Sequence, residues 1–381
     1  MARKKETYNN YPYGKAGGKR RRSFLGTLLF IILLALSLSF SVALLIAYIT
    51  PYVSPSTFGS LTIVGIFAPI LFVCVASCML LWVVMWRWRM VLALFIVLLP
   101  GIMRFSDFYS IDVMREGEVT REKGSFTVMS YNVRSLYDDE LNTVTDSLVN
   151  YLSSNELADI VCFQEFRRNA AGVERIDSLF NRRYKRCYTS DAVEYGNVVM
   201  RTYSCYPIIA KGEIQNTYRG TSQWCDIVVG SDTMRLFNNH LYSMHISSEE
   251  SDDIHTGEIL NDSERMMSIV DRIAGNSAIR AEHVDMLCEL IDETPYEKIV
   301  LGDFNDVPMS FVYNRLSDNL VDSFVEQGSG YGYTFRPMHG MLRIDYILHS
   351  QGMKSLYYYV NESAEVSDHL PIIVRLKFDD K

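Results

Sequence analysis

The chain has 381 residues, 48% of them hydrophobic and 22% charged, with a formal net charge of −8. That length holds a full-sized domain and something more. The negative balance argues against a protein that grips nucleic acid over a broad basic face, though a locally basic cleft stays compatible.

The charge is unevenly placed. Residues 1–104 carry eleven of the 37 basic residues and, of the 45 acids, only Glu6, which leaves 26 basic and 44 acidic residues in 105–381, a formal −18. There is no charged residue from Ser23 to Trp86, nor from Met90 to Met103. Of the seven cysteines, Cys74 and Cys78 lie in an apolar run and Cys162 in a strand-like one. No spacing resembles a zinc site, and a disulfide among the others stays open.

In chain order, residues 1–23 read as a disordered basic tail. Residues 24–49 are long and apolar enough to span a bilayer, and too long for a cleaved signal peptide. After a turn with Pro, Gly and Ser, residues 61–86 read as a second span, kinked at Pro69, with Trp82, Trp86 and Trp88 as an interfacial belt. A buried helical hairpin is the soluble alternative. Residues 90–103 rise only about 21 Å as a helix, so they either lie at the interface or span with flanking Arg87, Arg89 and Arg104 snorkelling. Three spans are expected. The basic tail is then cytoplasmic and the acidic domain non-cytoplasmic.

Residues 105–124 read as a charged linker, and strands and helices alternate irregularly beyond it. Strands are expected over 125–132, 159–165, 196–200, 206–210, 233–241, 298–300, 342–348 and 372–376. Helices are expected over 139–153, 263–273 and 278–291. Hairpin-like strand pairs without a visible repeat suggest a layered α+β domain.

Polar residues close many of these strands: Asn132, Glu165, His240, Asp303, Asn305, Asp345, Asp368 and His369. Singly each has a bland reading. Glu165 suits an ordinary strand end, His240 a satisfied core histidine, and Asp368-His369 a turn. Asp345 inside an apolar strand is harder to dismiss, because a lone buried carboxylate is costly; Arg343 or a histidine would serve as partner. The recurrence of these types at strand ends is what the bland readings leave unexplained.

The motifs SYNVR (130–134), QE (164–165), GN (196–197), NNHL (238–241), GDFND (302–306), RIDYIL (343–348) and SDHLP (367–371) together resemble the endonuclease/exonuclease/phosphatase superfamily, the DNase I-like group. The resemblance covers residues 125–378 and leaves the apolar segment, 24–104, outside it. It implies a four-layer α/β/β/α sandwich and a metal-dependent phosphoesterase, most simply a phosphodiesterase using in-line attack of water. It further implies that Glu165 leads a Mg2+ or Mn2+ site, with Asn132 and Asp368 assisting. Asp303 and Asn305 would orient or deprotonate the water, and His369, held by Asp345, would be a general base or a hydrogen-bond donor that stabilises the phosphate. His240 and Asn197 would complete the phosphate pocket. One departure stands at Arg201–Cys205, a stretch that lengthens the usual motif after Asn197. The implied partners are a phosphoester substrate (nucleic acid or phospholipid headgroup) and, through the anchor, a lipid bilayer. The rival reading is a catalytically silent module that binds a phosphorylated ligand.

Overall fold

The computed structural model describes residues 24–110, 122–138, 140–215, 220–337, 340 and 342–379; the basic tail lies outside them. In chain order the apolar segment forms α1 (Phe24–Ile49), α2 (Pro55–Phe58), α3 (Leu61–Ile66), α4 (Ala68–Val84) and α5 (Trp88–Met103). There follow β1 (Tyr109–Ser110), β2 (Ser125–Asn132), α6 (Thr145–Ser154), β3 (Ile160–Arg167), α7 (Val173–Arg183), β4 (Tyr188–Tyr195) and β5 (Val198–Ser204). Next come β6 (Ile208–Gln215), β7 (Gly220–Val229), β8 (Asp232–Leu241), α8 (Ser248–Thr256), α9 (Ser263–Glu293) and β9 (Glu297–Asp303). The chain closes with α10 (Phe311–Leu316), β10 (Leu320–Asp322), α11 (Ser323–Gln327), β11 (Gly330–Tyr331), β12 (Asp345–Ser350), β13 (Met353–Val360) and β14 (Ile372–Phe378).

Two six-stranded sheets stack, ordered β13-β14-β2-β3-β5-β4 and β10-β12-β9-β8-β7-β6. Each has one parallel pair, β2 with β3 and β8 with β9, among antiparallel neighbours. Strand alternation divides the core into layers. Phe126, Val128, Ile160 and Cys162 meet Cys225, Leu236, Ile299 and Leu301 between the sheets. Met129, Tyr131, Val161 and Phe163 point outward and pack under Leu148, Leu152, Ile176 and Phe180 of α6 and α7. On the far side Phe237, Val300, Tyr346 and Leu348 pack under α9 and α10. This is the four-layer α/β/β/α sandwich that the motifs imply. All seven cysteines are free thiols.

Three elements differ from expectation. The helix expected over 139–153 begins only at Thr145, because the Asp138 carboxylate accepts the N–H groups of Glu140 and Asn142 and holds a turn there; Asp139 itself lies outside the described residues. The two helices expected over 263–273 and 278–291 are one, α9, of 31 residues. Its apolar pattern is interrupted by Asn276, Ser277, Arg280 and His283, yet all four are buried and hydrogen-bonded. The second expected span is broken at Phe67 into α3 and the 17-residue α4.

Among the described residues one helical stretch, Phe24–Tyr52, is long and apolar enough to cross a membrane; α4 and α5 are shorter apolar helices. The segment folds back on the domain. Gly59 abuts the Ala274 backbone and Gly65 abuts the Met309 carbonyl, where a Cβ would collide. Arg104 donates to Asn314 Oδ1 at 3.2 Å. The expected linker is also partly docked, since β1 pairs with β11 and Arg343 donates to the Asp107 carbonyl at 2.8 Å.

Candidate active site

Strand register builds the centre of the site. On the second sheet His240 of β8 lies opposite Asp303 of β9, and Asp303 lies opposite Asp345 of β12. Three neighbouring strands thus present His, Asp and Asp side by side. Gly302 permits this closeness: its φ is 121°, and a Cβ there would collide with the Asn239 carbonyl. The first sheet contributes Asn132, which ends β2, and Glu165 on β3. Pairing of β3 with β5 shifts register between Phe163 and Phe166, and Glu165 sits in that bulge with φ 50°. A bulge re-aims a side chain, and here it accompanies a left-handed non-glycine backbone of the kind found at functional sites. Asn305 shares that conformation, at φ 51°.

The side chains converge. Asn132 Nδ2 donates to Glu165 Oε1 at 3.1 Å and to Asp303 Oδ2 at 3.0 Å, tying the two sheets together. His369 Nδ1 lies 2.9 Å from Asp345 Oδ2, and its Nε2 lies 3.6 Å from Asp303 Oδ2. His240 repeats the pattern, with Nδ1 2.7 Å from Glu194 Oε2 and Nε2 3.6 Å from Glu165 and 3.9 Å from Asp303 Oδ2. Asp345 thus has the histidine as partner; Arg343 pairs instead with Asp322 at 2.7 Å. A carboxylate on Nδ1 fixes the orientation of each ring.

Glu194 was not evident from the motifs. Its Oε1 also accepts the Glu165 N–H at 3.0 Å, so one buried carboxylate orients both His240 and the Glu165 backbone. The signal for it is faint but present: Ser190, Ala192 and Glu194 are the buried positions of an alternating strand, and an acid on that face needs a partner.

The other expected residues fall at different depths. Asp368 stands at the rim beside Arg134, whose Nε is 3.6 Å from its Oδ2. Asn305 is buried, but its amide donates to the Leu241 carbonyl at 3.0 Å and its N–H to Asp303 Oδ1 at 2.8 Å, so it braces the strand ends. Asn197 lies exposed at the β4–β5 turn, where its carbonyl accepts the Arg168 N–H. Behind the site α9 clamps the loop after β8. The fully buried Arg280 donates to the Tyr242 carbonyl and pairs with buried Asp306 at 3.3 Å.

Charge follows from this crowding. Burial, reinforced by Asp345, pushes the Asp303 carboxyl up to about 6 against the pull of the two histidines. Burial alone would lower the His240 imidazole, but Glu194, with Glu165 and Asp303 beyond it, raises it to about 10. His369 is likewise raised well above its ordinary value: burial opposes the shift, and Asp345 and Asp303 overcome it. The neighbouring carboxylates thus favour the protonated, donating form of both rings, while burial holds Asp303 above the ordinary carboxylate range.

Glu165 and Asp368 carry oxygens of the kind Mg2+ and Mn2+ take, while the Asn132 Oδ1 already accepts the Arg134 N–H at 3.0 Å. Asp303, Asp345 and His369 form a tighter group, their ligating atoms within 4.8 Å of one another, but its imidazole Nδ1 is engaged with Asp345.

A buried carboxylate beside two histidines thus stands at the joined strand ends of a four-layer sandwich. The sequence profile of the Endonuclease/Exonuclease/phosphatase family matches residues 129–369, and the chain belongs to that family. Residues 25–108 match a second profile, a domain of unknown function (DUF8431). No curated protein matches the chain. Similar solved structures include an endonuclease/exonuclease/phosphatase from Beutenbergia cavernae, 16% identical over 67% of this chain and 72% of that one, with a TM-score of 0.48. A family protein from Bacteroides thetaiotaomicron is 16% identical over 68% of this chain and all of its own, with a TM-score of 0.48. Truncated Caenorhabditis elegans TDP2 is 17% identical over 66% of this chain and 98% of its own, with a TM-score of 0.47.

Proposed function

We propose that the protein is a membrane-anchored, divalent-metal-dependent phosphodiesterase in which Asp303 accepts a proton from the attacking water. The observation that carries this reading is the approach of His240 Nε2 and His369 Nε2 to one oxygen of Asp303, each ring backed by its own carboxylate.

The chemistry is a single displacement. A water oxygen bonds to phosphorus, the bond to the leaving oxygen breaks, the water proton passes to Asp303, and the leaving oxygen receives a proton. His240 and His369, held as imidazolium, donate to the phosphate oxygens, where negative charge gathers in the transition state. One of the two rings is assigned to protonate the leaving oxygen in this reading, and Asp345 and Glu194 keep the rings aimed. Asn132 holds Asp303 and Glu165 in register, and Asn305 braces the strand ends. Glu165 and Asp368 would hold Mg2+ or Mn2+, which when bound supplies positive charge against the phosphate.

The anchor reading rests on contacts as well as composition. Residues 59–65 and Arg104 touch the catalytic domain, so the far end of α1 and the end of α5 lie on one side with it. In sequence the basic residues 1–23 precede the other end of α1. With that tail cytoplasmic and α4 and α5 also counted as crossings, the reading has the catalytic domain outside the cytoplasm.

The deciding experiment assays the full-length protein on bis-p-nitrophenyl phosphate with Mg2+, with Mn2+ and with EDTA. Metal-dependent turnover lost in Asp303→Asn supports the reading. A wild-type protein silent on every diester in reconstituted membranes would move a phosphate-binding module to first place.

A further inference from the structure

Thr334 lies between the two chain segments that carry the Asp345–His369 pair, and it is fully buried. Its Oγ1 accepts the N–H groups of Ile344 at 3.1 Å and Asp345 at 3.0 Å, and its carbonyl accepts the Leu370 N–H at 2.7 Å. The next residue, Phe335, bridges to Leu342 and to His369, with its ring 4.9 Å from the imidazole. Arg336 then donates its N–H to the Asp368 carbonyl at 2.8 Å. Residues 334–336 thus clamp the Asp345 segment to the His369 segment, although none of the three stands in the motifs that announced the site.

The clamp is itself held from the anchor side. Just before Thr334, Tyr331 lies opposite Tyr109 and Gly330 opposite Ser110 in the antiparallel β1–β11 ribbon. Just before Asp345, Arg343 donates to the Asp107 carbonyl at 2.8 Å, and its buried guanidinium pairs with Asp322 at 2.7 Å. Asp107 is tied in turn to Arg104, at the end of α5, at 3.3 Å. Residues 107–110, which leave the last apolar helix, therefore hold the chain on both sides of the clamp. A tether needs no such contacts, since a flexible linker keeps a domain near a surface equally well. A catalytic side chain that must stay within about 0.5 Å of its working place does need its supports fixed.

On the strength of the phosphodiesterase reading, we infer that residues 107–110 and Thr334 are positioning residues for the Asp345–His369 pair, so that the strand leaving the apolar helices is part of what makes the site work. The chemistry stays with the groups that meet the phosphate. The anchor then sets kcat as well as location.

The test uses the full chain in detergent solution with bis-p-nitrophenyl phosphate and Mg2+, so that nearness to a bilayer plays no part. Ser110→Pro removes a strand N–H. It should lower kcat by about tenfold or more and leave KM within about twofold. Adding Tyr109→Cys and Tyr331→Cys sets two thiols at directly opposed positions, where a Cα separation of about 4.5–5.5 Å suits a disulfide. Closing that bond with glutathione disulfide, confirmed by peptide mass and with oxidised wild type as control, should restore kcat to within about threefold of wild type. Dithiothreitol should then abolish the rescue, which a merely misfolded variant would not show. Thr334→Val, which removes the acceptor, should lower kcat comparably, and Thr334→Ser should retain it. Wild-type kcat in Ser110→Pro or in Thr334→Val, or a closed disulfide without rescue, overturns the inference. If the wild type cleaves the diester and these variants match it, only the positioning inference falls. If the wild type cleaves no diester, the phosphodiesterase reading falls with it.

Discussion

Glu194 holds His240 at 2.7 Å through one carboxylate oxygen and the Glu165 backbone through the other. The first sheet thus fixes a ring that the second sheet carries. Glu194→Gln keeps the size of the side chain but removes the charge that raises His240. It should lower kcat/KM for bis-p-nitrophenyl phosphate by about 10–100-fold, the range seen when a carboxylate behind a site histidine is lost. It should also shift the alkaline limb of the pH profile downward, which simple loss of packing would not do.

Asp303→Asn and His369→Ala each remove a group that meets the reacting atoms. Each should cost about 10²–10⁴-fold in kcat, the usual worth of a positioned acid or base. If His369→Ala left kcat unchanged in steady-state assays, the assignment of that ring would be wrong.

Arg280 and Asp306 form an ion pair with no solvent exposure. Arg280→Met leaves Asp306 buried without its cation and should destabilise the fold by about 3–5 kcal/mol. The double variant with Asp306→Leu should recover much of that loss. Urea unfolding of the solubilised protein distinguishes the two.

His283 sets an acid limit on stability. Burial, helped by the charge of His240, lowers its imidazole to about 4, against 6.5 for an unperturbed one. Between those values the unfolded chain binds the proton and the folded chain does not, so stability is full above about 6.5 and falls as pH drops toward 4. His283→Gln, which can still meet Ser222, should flatten that slope in melting curves taken between these limits.

Topology has its own check. A reporter fused after Lys381 and active only outside the cytoplasm is expected, and activity in the cytoplasm would exclude the three-span arrangement.

Much of the candidate site was legible because motif residues lie at or near strand ends: Asp303 closes β9, Asp345 opens β12, and His369 stands just before β14. Glu194 was hidden in an ordinary alternating strand, since its importance comes from β8, a partner distant in sequence. Asn305 was legible as a site residue but not in its contacts: which amide atom meets the Leu241 carbonyl depends on tertiary packing. The unity of α9 was obscured because burial there includes polar residues, and apolar periodicity cannot register a helix face that buries Asn276 and Arg280. The break at Phe67 follows Pro69, yet composition alone gave no reason for α3 to leave the apolar bundle and lie on the catalytic domain.

That docking decides how the proposed enzyme searches. A domain on a loose leash sweeps a hemisphere and meets whatever floats past. Here Gly59 meets Ala274, Gly65 meets Met309, and Arg104 holds Asn314. In the membrane-anchored arrangement proposed above, these three points would fix the cleft at one height and one tilt over the bilayer, and turnover of any membrane-borne substrate should then follow its surface density rather than its bulk concentration.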